Sequence, residues 1–442
     1  MKCWTTSPLL AAFLMLVPVA GSILGQERQI LFEEIQQMPP NLEGEWIIGG
    51  KPLIVGKSSL IRPRELAEIG ALAVVEFMVN GDEAFVTQMA PQSIKAAEIN
   101  DGPYVNWIDK TTARVITIKN GKLEQRDIKN ITEPRDFKNP TSLVESIRLD
   151  PDPPTPPKSQ WEMPARLLAI SDLEGNYHNA RRFLENCNVI NRSGHWNWGD
   201  GHLVLVGDLV DRGDHVTELM WLIRQLERES AAAGGRVHYV LGNHEAMVMG
   251  GDLRYIHRKY HFTSTRIGMR YDQLHGESSE IGRWWRSKNG VIRVGNLLFV
   301  HGGYSPKLDS ANLDIDSLNR LIRQGLPPAQ PVGLTAATNP VRHPHGPFWY
   351  RGYFEEHATA WGGLASQSEI SHILERHQAK HVVIGHTVVD EVGPINDSGS
   401  VIAIDVKWAE SARCQGLLQE RGKLYRVMSD GDREEIRIQT HE

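Results

Sequence analysis

The chain has 442 residues, enough for two domains or for one large domain with a small appendage. Its hydrophobic share of 40% and charged share of 23% are those of a globular protein and exclude a chain that is disordered throughout. The formal charge of -6 at pH 7 and the lack of a Lys/Arg stripe argue against a nucleic-acid partner, because phosphate backbones are bound by clustered positive charge.

The first 25 residues have the layout of a secretory signal peptide. Lys2 supplies a positive start, an apolar run extends from Leu9 to Ala20, and a polar chain begins at Gln26. This run is too short to span a bilayer comfortably, so we expect an exported protein, periplasmic or extracellular, with no stable membrane insertion after signal cleavage. An uncleaved N-terminal anchor is the alternative that the sequence leaves open.

Residues 26–150 are interpreted as a small, mainly β accessory domain whose role cannot be deduced. Short β-prone segments dominate the region, and the dipeptide Asn120-Gly121 is a strong hairpin signal. The prolines of residues 151–160 then predict a stiff extended linker. Residues 161–442 are left for the catalytic domain.

Two cysteines, Cys187 and Cys414, follow the predicted signal peptide. In an oxidising compartment they either pair or remain as two buried thiols, and their spacing does not decide between these alternatives. The sequence contains no CxxC motif, which argues against a structural zinc site of the thiolate type.

Beyond the linker, apolar strands alternate with helical segments, as is typical of an α/β core. The longest predicted helix extends from about Thr217 to Ala233 and ends before Gly234. Five short apolar runs predict strands that are buried on both faces of a sheet. These runs are Leu167–Ile170, Leu203–Val206, Val237–Leu241, Leu297–Val300 and Val382–Ile384.

Each apolar run is followed by glycine and by side chains of the types that can bind metal ions. Since open α/β sheets bind ligands at the carboxyl ends of their strands, one site built from five strand ends is the simplest interpretation. Carboxylates, imidazoles and an Asn carbonyl suit two divalent metal ions, which together activate water and polarise a phosphate. The segments are Ser171-Asp172-Leu173-Glu174-Gly175-Asn176, Gly207-Asp208-Leu209-Val210-Asp211-Arg212-Gly213, Gly242-Asn243-His244-Glu245, His301-Gly302-Gly303 and Gly385-His386-Thr387.

The order of these motifs resembles the calcineurin-like metallophosphoesterases. Gly242-Asn243-His244-Glu245 and residues 301–306 are most similar to the phosphoprotein-phosphatase branch. Residues 281–289 and 347–352 resemble the Shewanella-like protein phosphatases. The resemblance implies a metallophosphatase-type layered sandwich, in which helices flank two central mixed β-sheets, with the N-terminal β region as an addition.

The resemblance also implies a role for each site residue. His244 would protonate the leaving oxygen, and Asp211 would orient it, consistent with general acid catalysis. Arg212 and Arg351 would hold the phosphate with forked hydrogen bonds. Asp172 would bind the first metal and Asp208 would bridge both, while the second metal would be held by Asn243, His301 and His386.

One position departs from the family pattern, because Glu174 stands where a histidine is usual. If Glu174 binds the first metal, the ligands there are carboxylates alone and favour Mn²⁺ or Mg²⁺ over Zn²⁺. We therefore expect two divalent ions, with manganese preferred and magnesium, iron or zinc as alternatives. Otherwise Glu174 points elsewhere and the first site is weak.

These residues predict a metal-dependent phosphomonoester hydrolase in which hydroxide between two metals attacks the phosphorus in line. By resemblance its substrates are phosphoproteins, with phosphotyrosine slightly favoured over phosphoserine or phosphothreonine. Two alternatives remain: an enzyme for small phosphomonoesters, nucleotides or diesters, and a non-catalytic binding protein with a decayed metal site.

Overall fold

The computed structural model describes residues 98–138, 146–328, 335, 337–361 and 363–438, together with the bounds of five strands nearer the N-terminus. The predicted signal peptide, residues 1–25, lies outside the described residues. Among the helices of the described part, none is both long enough and apolar enough to cross a membrane.

The chain alternates strands and helices after a β-rich start. The strands are β1 Gln26–Gln29, β2 Gly44–Ile48, β3 Lys51–Val55, β4 Ala71–Asn80, β5 Glu83–Ser93, β6 Asp101–Trp107, β7 Ala113–Lys119, β8 Lys122–Ile128, β9 Arg135–Lys138, β10 Ser146–Leu149, β11 Gln160–Trp161, β12 Arg166–Ile170, β13 His202–Val206, β14 Arg236–Val240, β15 Val291–Val294, β16 Leu297–Val300, β17 His381–Ile384, β18 Gly393–Pro394, β19 Val401–Ala403, β20 Gly416–Glu420, β21 Lys423–Val427 and β22 Arg433–Glu435. The helices are α1 Tyr177–Asn186, α2 Val216–Ala232, α3 Asn243–Met249, α4 Arg258–Ile267, α5 Tyr271–Leu274, α6 Glu280–Ser287, α7 Pro306–Asp309, α8 Ile315–Gly325 and α9 Gln367–Arg376, with 3-10 helices at Glu355–Trp361 and Ser411–Arg413.

Two six-stranded mixed sheets form the centre of the fold. One has the order β14-β13-β12-β20-β21-β22, with its first three strands parallel, and the other has the order β11-β15-β16-β17-β19-β18. The predicted layered α/β fold is confirmed. The five predicted apolar runs are β12, β13, β14, β16 and β17, and the long predicted helix is α2. Side chains of both sheets belong to one hydrophobic core, as expected of strands that are apolar on both faces.

The strands β6, β7 and β8 form a separate antiparallel sheet. The predicted hairpin joins β7 to β8, because Asn120 and Gly121 both adopt the left-handed backbone that its turn requires. Buried side chains of this sheet, such as Val105 and Val115, belong to the same core as the catalytic sheets. The interpretation of residues 26–150 as an accessory domain stays a prediction, but the packing is continuous across residue 150.

A buried carboxylate, that of Asp101, connects this small sheet to the helices α2 and α4. Asp101 accepts hydrogen bonds from the hydroxyls of Tyr104 (2.8 Å), Thr217 (2.9 Å) and Thr263 (2.7 Å), and the Lys259 ammonium lies 3.5 Å away. Thr217 belongs to α2, and Thr263 and Lys259 belong to α4. Because a buried charge needs such partners, the network ties β6 firmly to both helices.

The proline-rich segment predicted as a linker lies against the catalytic core. The Asn289 amide donates to the Pro157 carbonyl (3.2 Å), and β11, at the end of the segment, pairs with β15. Cys187 and Cys414 are free thiols and do not pair; Cys414 is buried, as the second alternative expected, whereas Cys187 is half-buried.

Two histidines, one on β13 and one on β14, lie side by side. His238 Nε2 lies 3.0 Å from His202 Nδ1, and Trp161 of the other sheet packs edge-on against both rings. Burial, reinforced by neighbouring positive charge, lowers the pKa of His202 to about 4 and that of His238 to about 3. The folded protein therefore holds both rings neutral at pH values where an unfolded chain protonates them.

We expect this pair to make the protein less stable in acid. The unfolded chain binds protons near pH 6.5 and the folded pair only at lower pH, so the free energy of unfolding should decrease as pH falls from about 6.5 towards 4. His238→Gln should remove about 2 kcal/mol of the decrease between pH 7 and pH 5, measured by urea denaturation. His357→Gln, which changes a half-buried histidine outside the pair, serves as the control. An unaltered pH dependence in His238→Gln would contradict this account.

Candidate active site and metal centre

The carboxyl ends of the central strands of both sheets meet at one buried point. Asp208 follows β13 of one sheet, and His301 and His386 follow β16 and β17 of the other. All three are buried, and one ligand atom from each lies within 4.8 Å of the others. Among the described residues, this group has the arrangement that a metal ion needs.

Asp172 joins the same point from the end of β12. Its Oδ2 accepts a hydrogen bond from the His386 backbone amide (3.1 Å) and another from the Ser171 hydroxyl. Burial, with a contribution from the negative charge of Asp208, raises the pKa of Asp172 to about 6, although His301 opposes the shift. Two buried carboxylates whose charges affect each other favour a bound cation.

His301 is oriented by a bond from its far nitrogen. Nδ1 donates to the Val206 carbonyl (2.8 Å), so Nε2 points towards Asp208 Oδ2 (3.0 Å) and Asn243 Oδ1 (3.0 Å). Although burial favours the neutral ring, Asp208 and Asp172 raise the pKa of His301 to about 10. A backbone carbonyl on Nδ1 is the usual arrangement for a histidine that binds metal through Nε2.

These residues fit divalent metal ions. Carboxylate and amide oxygens suit Mn²⁺ and Mg²⁺, and imidazole nitrogens extend the range to Fe²⁺ and Zn²⁺. Burial and the neighbouring His301 lower the pKa of His386 well below its usual value, which keeps its ring in the neutral form that binds metal. The structure thus brings together Asp172, Asp208, Asn243, His301 and His386; their individual roles as ligands stay predictions.

Tight backbone turns explain the glycine beside each ligand. Asp172, Asp208 and His386 adopt left-handed backbone conformations with φ of 54°, 52° and 66°, which cost energy for residues other than glycine. A side chain at Gly242 would collide with the Asp208 carboxylate, and one at Gly385 would collide with that of Asp172. Glycine is therefore required where one strand end approaches the ligand of another.

Glu245 holds these turns together, a role that the sequence did not reveal. Its buried carboxylate accepts from the backbone amides of Asp208 (3.1 Å), Leu209 (2.8 Å) and Gly242 (2.8 Å). The Tyr239 hydroxyl donates to the same carboxylate at 2.9 Å. Its place in the Gly242–Glu245 motif was the only available signal, since three of its four bonded partners are backbone amides, which a sequence pattern does not identify.

His244 lies beside the metal centre with the partner that was predicted for it. Nδ1 is 2.6 Å from Asp211 Oδ2, and Nε2 is 3.7 Å from Asp208 Oδ2. Although burial opposes protonation, the charges of Asp208 and Asp211 raise the pKa of His244 above its usual value. A protonated ring in this position could serve as a general acid through Nε2; the predicted role of His244 stays a prediction.

Two arginines lie close to the centre. Arg351 is half-buried, and its Nη1 donates to the Thr387 hydroxyl (3.0 Å) beside His386. Arg212 is more exposed and forms an ion pair with Glu174. In this structure the Glu174 carboxylate therefore contacts Arg212, and its predicted metal ligation stays a prediction.

Asp405 is a further buried carboxylate that the sequence analysis missed. It follows β19, directly beside β17 in the sheet. Burial and the nearby charge of Asp172 raise its pKa well above the usual value. The rule applied to the other strands, an apolar run that ends in a potential ligand, would have selected Val401–Ile404 followed by Asp405.

Comparisons with known proteins agree with this site. The model of the calcineurin-like phosphoesterase family matches residues 165–390. The chain belongs to the calcineurin-like phosphoesterases.

Three similar proteins are protein phosphatases by name. The crystal structure of a cold-active protein-tyrosine phosphatase from a psychrophilic Shewanella species is similar over 77% of this chain and 100% of its own, at 32% identity and a TM-score of 0.70. Shewanella-like protein phosphatase 2 of Arabidopsis thaliana is 26% identical over 60% of this chain and 77% of its own. Shewanella-like protein phosphatase 1 of Plasmodium berghei (strain Anka) is 23% identical over 50% of this chain and 61% of its own.

These findings confirm the family that the motifs indicated. As a calcineurin-like phosphoesterase, the protein is a hydrolase of phosphoesters, and the fold implies divalent metal ions at the centre described above. The aligned part of the Shewanella structure is longer than the segment matched by the family model, so the likeness extends beyond residues 165–390.

The Glu174 prediction can be tested by metal content. If Glu174 leaves its ion pair with Arg212 and binds the first metal, the variant Glu174→Ala should lose tight binding of one of two metal equivalents. Elemental analysis after dialysis measures the metal content. Glu185→Ala is the matched control, because Glu185 also pairs with an arginine, Arg181 (2.8 Å), on α1. Unchanged stoichiometry in Glu174→Ala would mean that Glu174 is not a ligand.

Proposed function

We propose that this protein is a metal-dependent protein phosphatase that prefers phosphotyrosine and also accepts phosphoserine and phosphothreonine. The supporting observation is the acid pair His244–Asp211, at 2.6 Å, immediately beside the buried group Asp208, His301 and His386. An acid at this position would protonate the leaving oxygen, so that it departs from phosphorus as an alcohol or a phenol. This step distinguishes the hydrolysis of a phosphoester from the binding of a phosphate.

Each residue of the site would have its own role in the reaction. Bound divalent ions would supply Lewis acidity and lower the pKa of water. Asp172, Asp208, Asn243, His301 and His386 would hold those ions. His244 would donate its Nε2 proton to the leaving oxygen, and Asp211 would stabilise the charged ring and keep Nδ1 protonated.

The arginines favour a phosphomonoester over a diester. A monoester carries two negative charges near neutral pH, and a diester carries one. Arg351 lies close enough to Asp172 and Asp208 for their charges to affect its pKa, and burial lowers that pKa overall. A half-buried guanidinium gains more from a dianion, because partial desolvation strengthens the interaction of opposite charges.

Substrate preference, metal and location are also part of the proposal. Phosphotyrosine is supported by the tyrosine phosphatase to which this chain is 32% identical over all of that chain, and phosphoproteins in general by the names of the curated relatives. Manganese is supported by the ligand oxygens that Asp172, Asp208 and Asn243 offer, which suit Mn²⁺. Export is supported by the apolar run Leu9–Ala20 after Lys2.

The test is phosphatase activity of the full mature chain with Mn²⁺ on phosphopeptides of both classes. Wild type should hydrolyse them, and His244→Asn should lower kcat about 10²- to 10⁴-fold, because no side chain is left to protonate the leaving oxygen. His372→Asn on the exposed face of α9 is the control.

Other results would contradict the proposal. Hydrolysis of small phosphomonoesters or nucleotides without phosphopeptides would indicate a small-molecule phosphatase. A purified, folded protein that hydrolyses no phosphoester with any divalent metal would indicate a binding protein.

A further inference from the structure

Tyr255 is an exposed aromatic residue at the edge of the active site, and the mechanism above does not use it. It lies between α3 and α4, and 42% of its surface is exposed, whereas most of the large apolar side chains near the site are buried. Its carbonyl accepts the Arg212 backbone amide (2.8 Å), which anchors the residue to the turn that carries Asp211 and Arg212.

The contacts of its ring set Tyr255 apart from an ordinary exposed side chain. The ring centre lies 5.2 Å from that of His244 and 5.3 Å from the Arg212 guanidinium carbon. These are the predicted acid and one of the two predicted phosphate-binding arginines. Single exposed aromatic residues are common and need no function, but this one borders two groups that would face the substrate.

The position of the leaving group follows from His244. Because Nδ1 is bonded to Asp211, only Nε2 can face the leaving oxygen. The atoms attached to that oxygen must then lie within a few ångströms of His244, the same ring that Tyr255 borders. In phosphotyrosine these atoms form a planar aromatic ring, and in phosphoserine they form a short aliphatic chain.

We propose that Tyr255 is a specificity residue whose ring packs against the aromatic leaving group of aryl phosphates, phosphotyrosine among them. This inference rests on the proposed function and deepens it. Two aromatic rings prefer offset or edge-to-face packing, and such a pair corresponds to about a three- to tenfold gain in affinity. An aliphatic leaving group gains much less from the same surface.

The experiment compares aryl with alkyl esters in matched variants. Substrates are phosphotyrosyl and phosphoseryl peptides with identical flanking sequences, and phenyl phosphate with an alkyl phosphate. Tyr255→Ala should raise KM about three- to tenfold for the aryl members with little change in kcat, and less than about twofold for the alkyl members. Tyr255→Phe, which retains the ring, should stay within about twofold of wild type on both.

Tyr425→Ala is the matched control, because Tyr425 on β21 also packs under an arginine, with Arg433 at 5.1 Å. Tyr425→Ala should leave the KM for both the aryl and the alkyl esters unchanged. An equal loss on aryl and alkyl esters in Tyr255→Ala would assign the residue a structural role in placing Arg212 and would overturn the inference, as would no loss on either class.

Failure of the proposed function gives a different pattern. A wild type that hydrolyses phenyl phosphate but neither peptide contradicts the protein phosphatase, while its aryl-to-alkyl ratio still decides the role of Tyr255. A wild type without any phosphoesterase activity overturns both.

Discussion

The structure depends on one buried carboxylate, that of Asp208. It lies where the two sheets meet: His301 of the opposite sheet approaches it to 3.0 Å, and the His244 backbone amide donates to it at 2.9 Å. Although burial disfavours its charge, His301 and His244 lower the pKa of Asp208, so that it remains ionised. A buried negative charge of this kind is tolerated only with charged partners or metal ions around it.

The residues around Asp208 hold its carboxylate in place. Glu245 accepts the amides of the Asp208 turn, and the glycines at positions 242 and 385 let neighbouring strand ends approach without collision. The left-handed backbone at Asp208 is held by the Glu245 bonds, and the Asp172 amide donates to the Gly207 carbonyl (3.0 Å) of the same turn. Farther out, the Asp101 network fixes the small N-terminal sheet against α2 and α4, the helices that border the site.

Much of the fold could be predicted from the sequence because strands buried on both faces are continuous apolar runs. Leu203–Val206 and Leu297–Val300 are such runs, one in each sheet. Within each sheet they have a parallel neighbour, β12 beside β13 and β17 beside β16, so the polar residues that follow neighbouring strands lie at the same edge. The motif order then indicated the family. Val401–Ile404 is also an apolar run followed by a potential ligand, Asp405, so this residue too could be found from the sequence.

The remaining features were beyond sequence reasoning because they depend on contacts between distant segments. Nothing near Glu174 signals that its carboxylate contacts Arg212, and nothing near Tyr255 signals its position over His244. Packing also continues from β6 and β7 into the catalytic core, which a composition break at the prolines of residues 151–160 does not reveal.

The central claim is that Asp172, Asp208, Asn243, His301 and His386 would together hold two divalent metal ions at one centre. Electron paramagnetic resonance of the full chain titrated with Mn²⁺ tests it most directly. The account predicts two Mn²⁺ ions per chain with the spectrum of an exchange-coupled pair, because a shared carboxylate holds two metals about 3.5–4 Å apart. A single ion, or two ions with the spectra of isolated Mn²⁺, would contradict it.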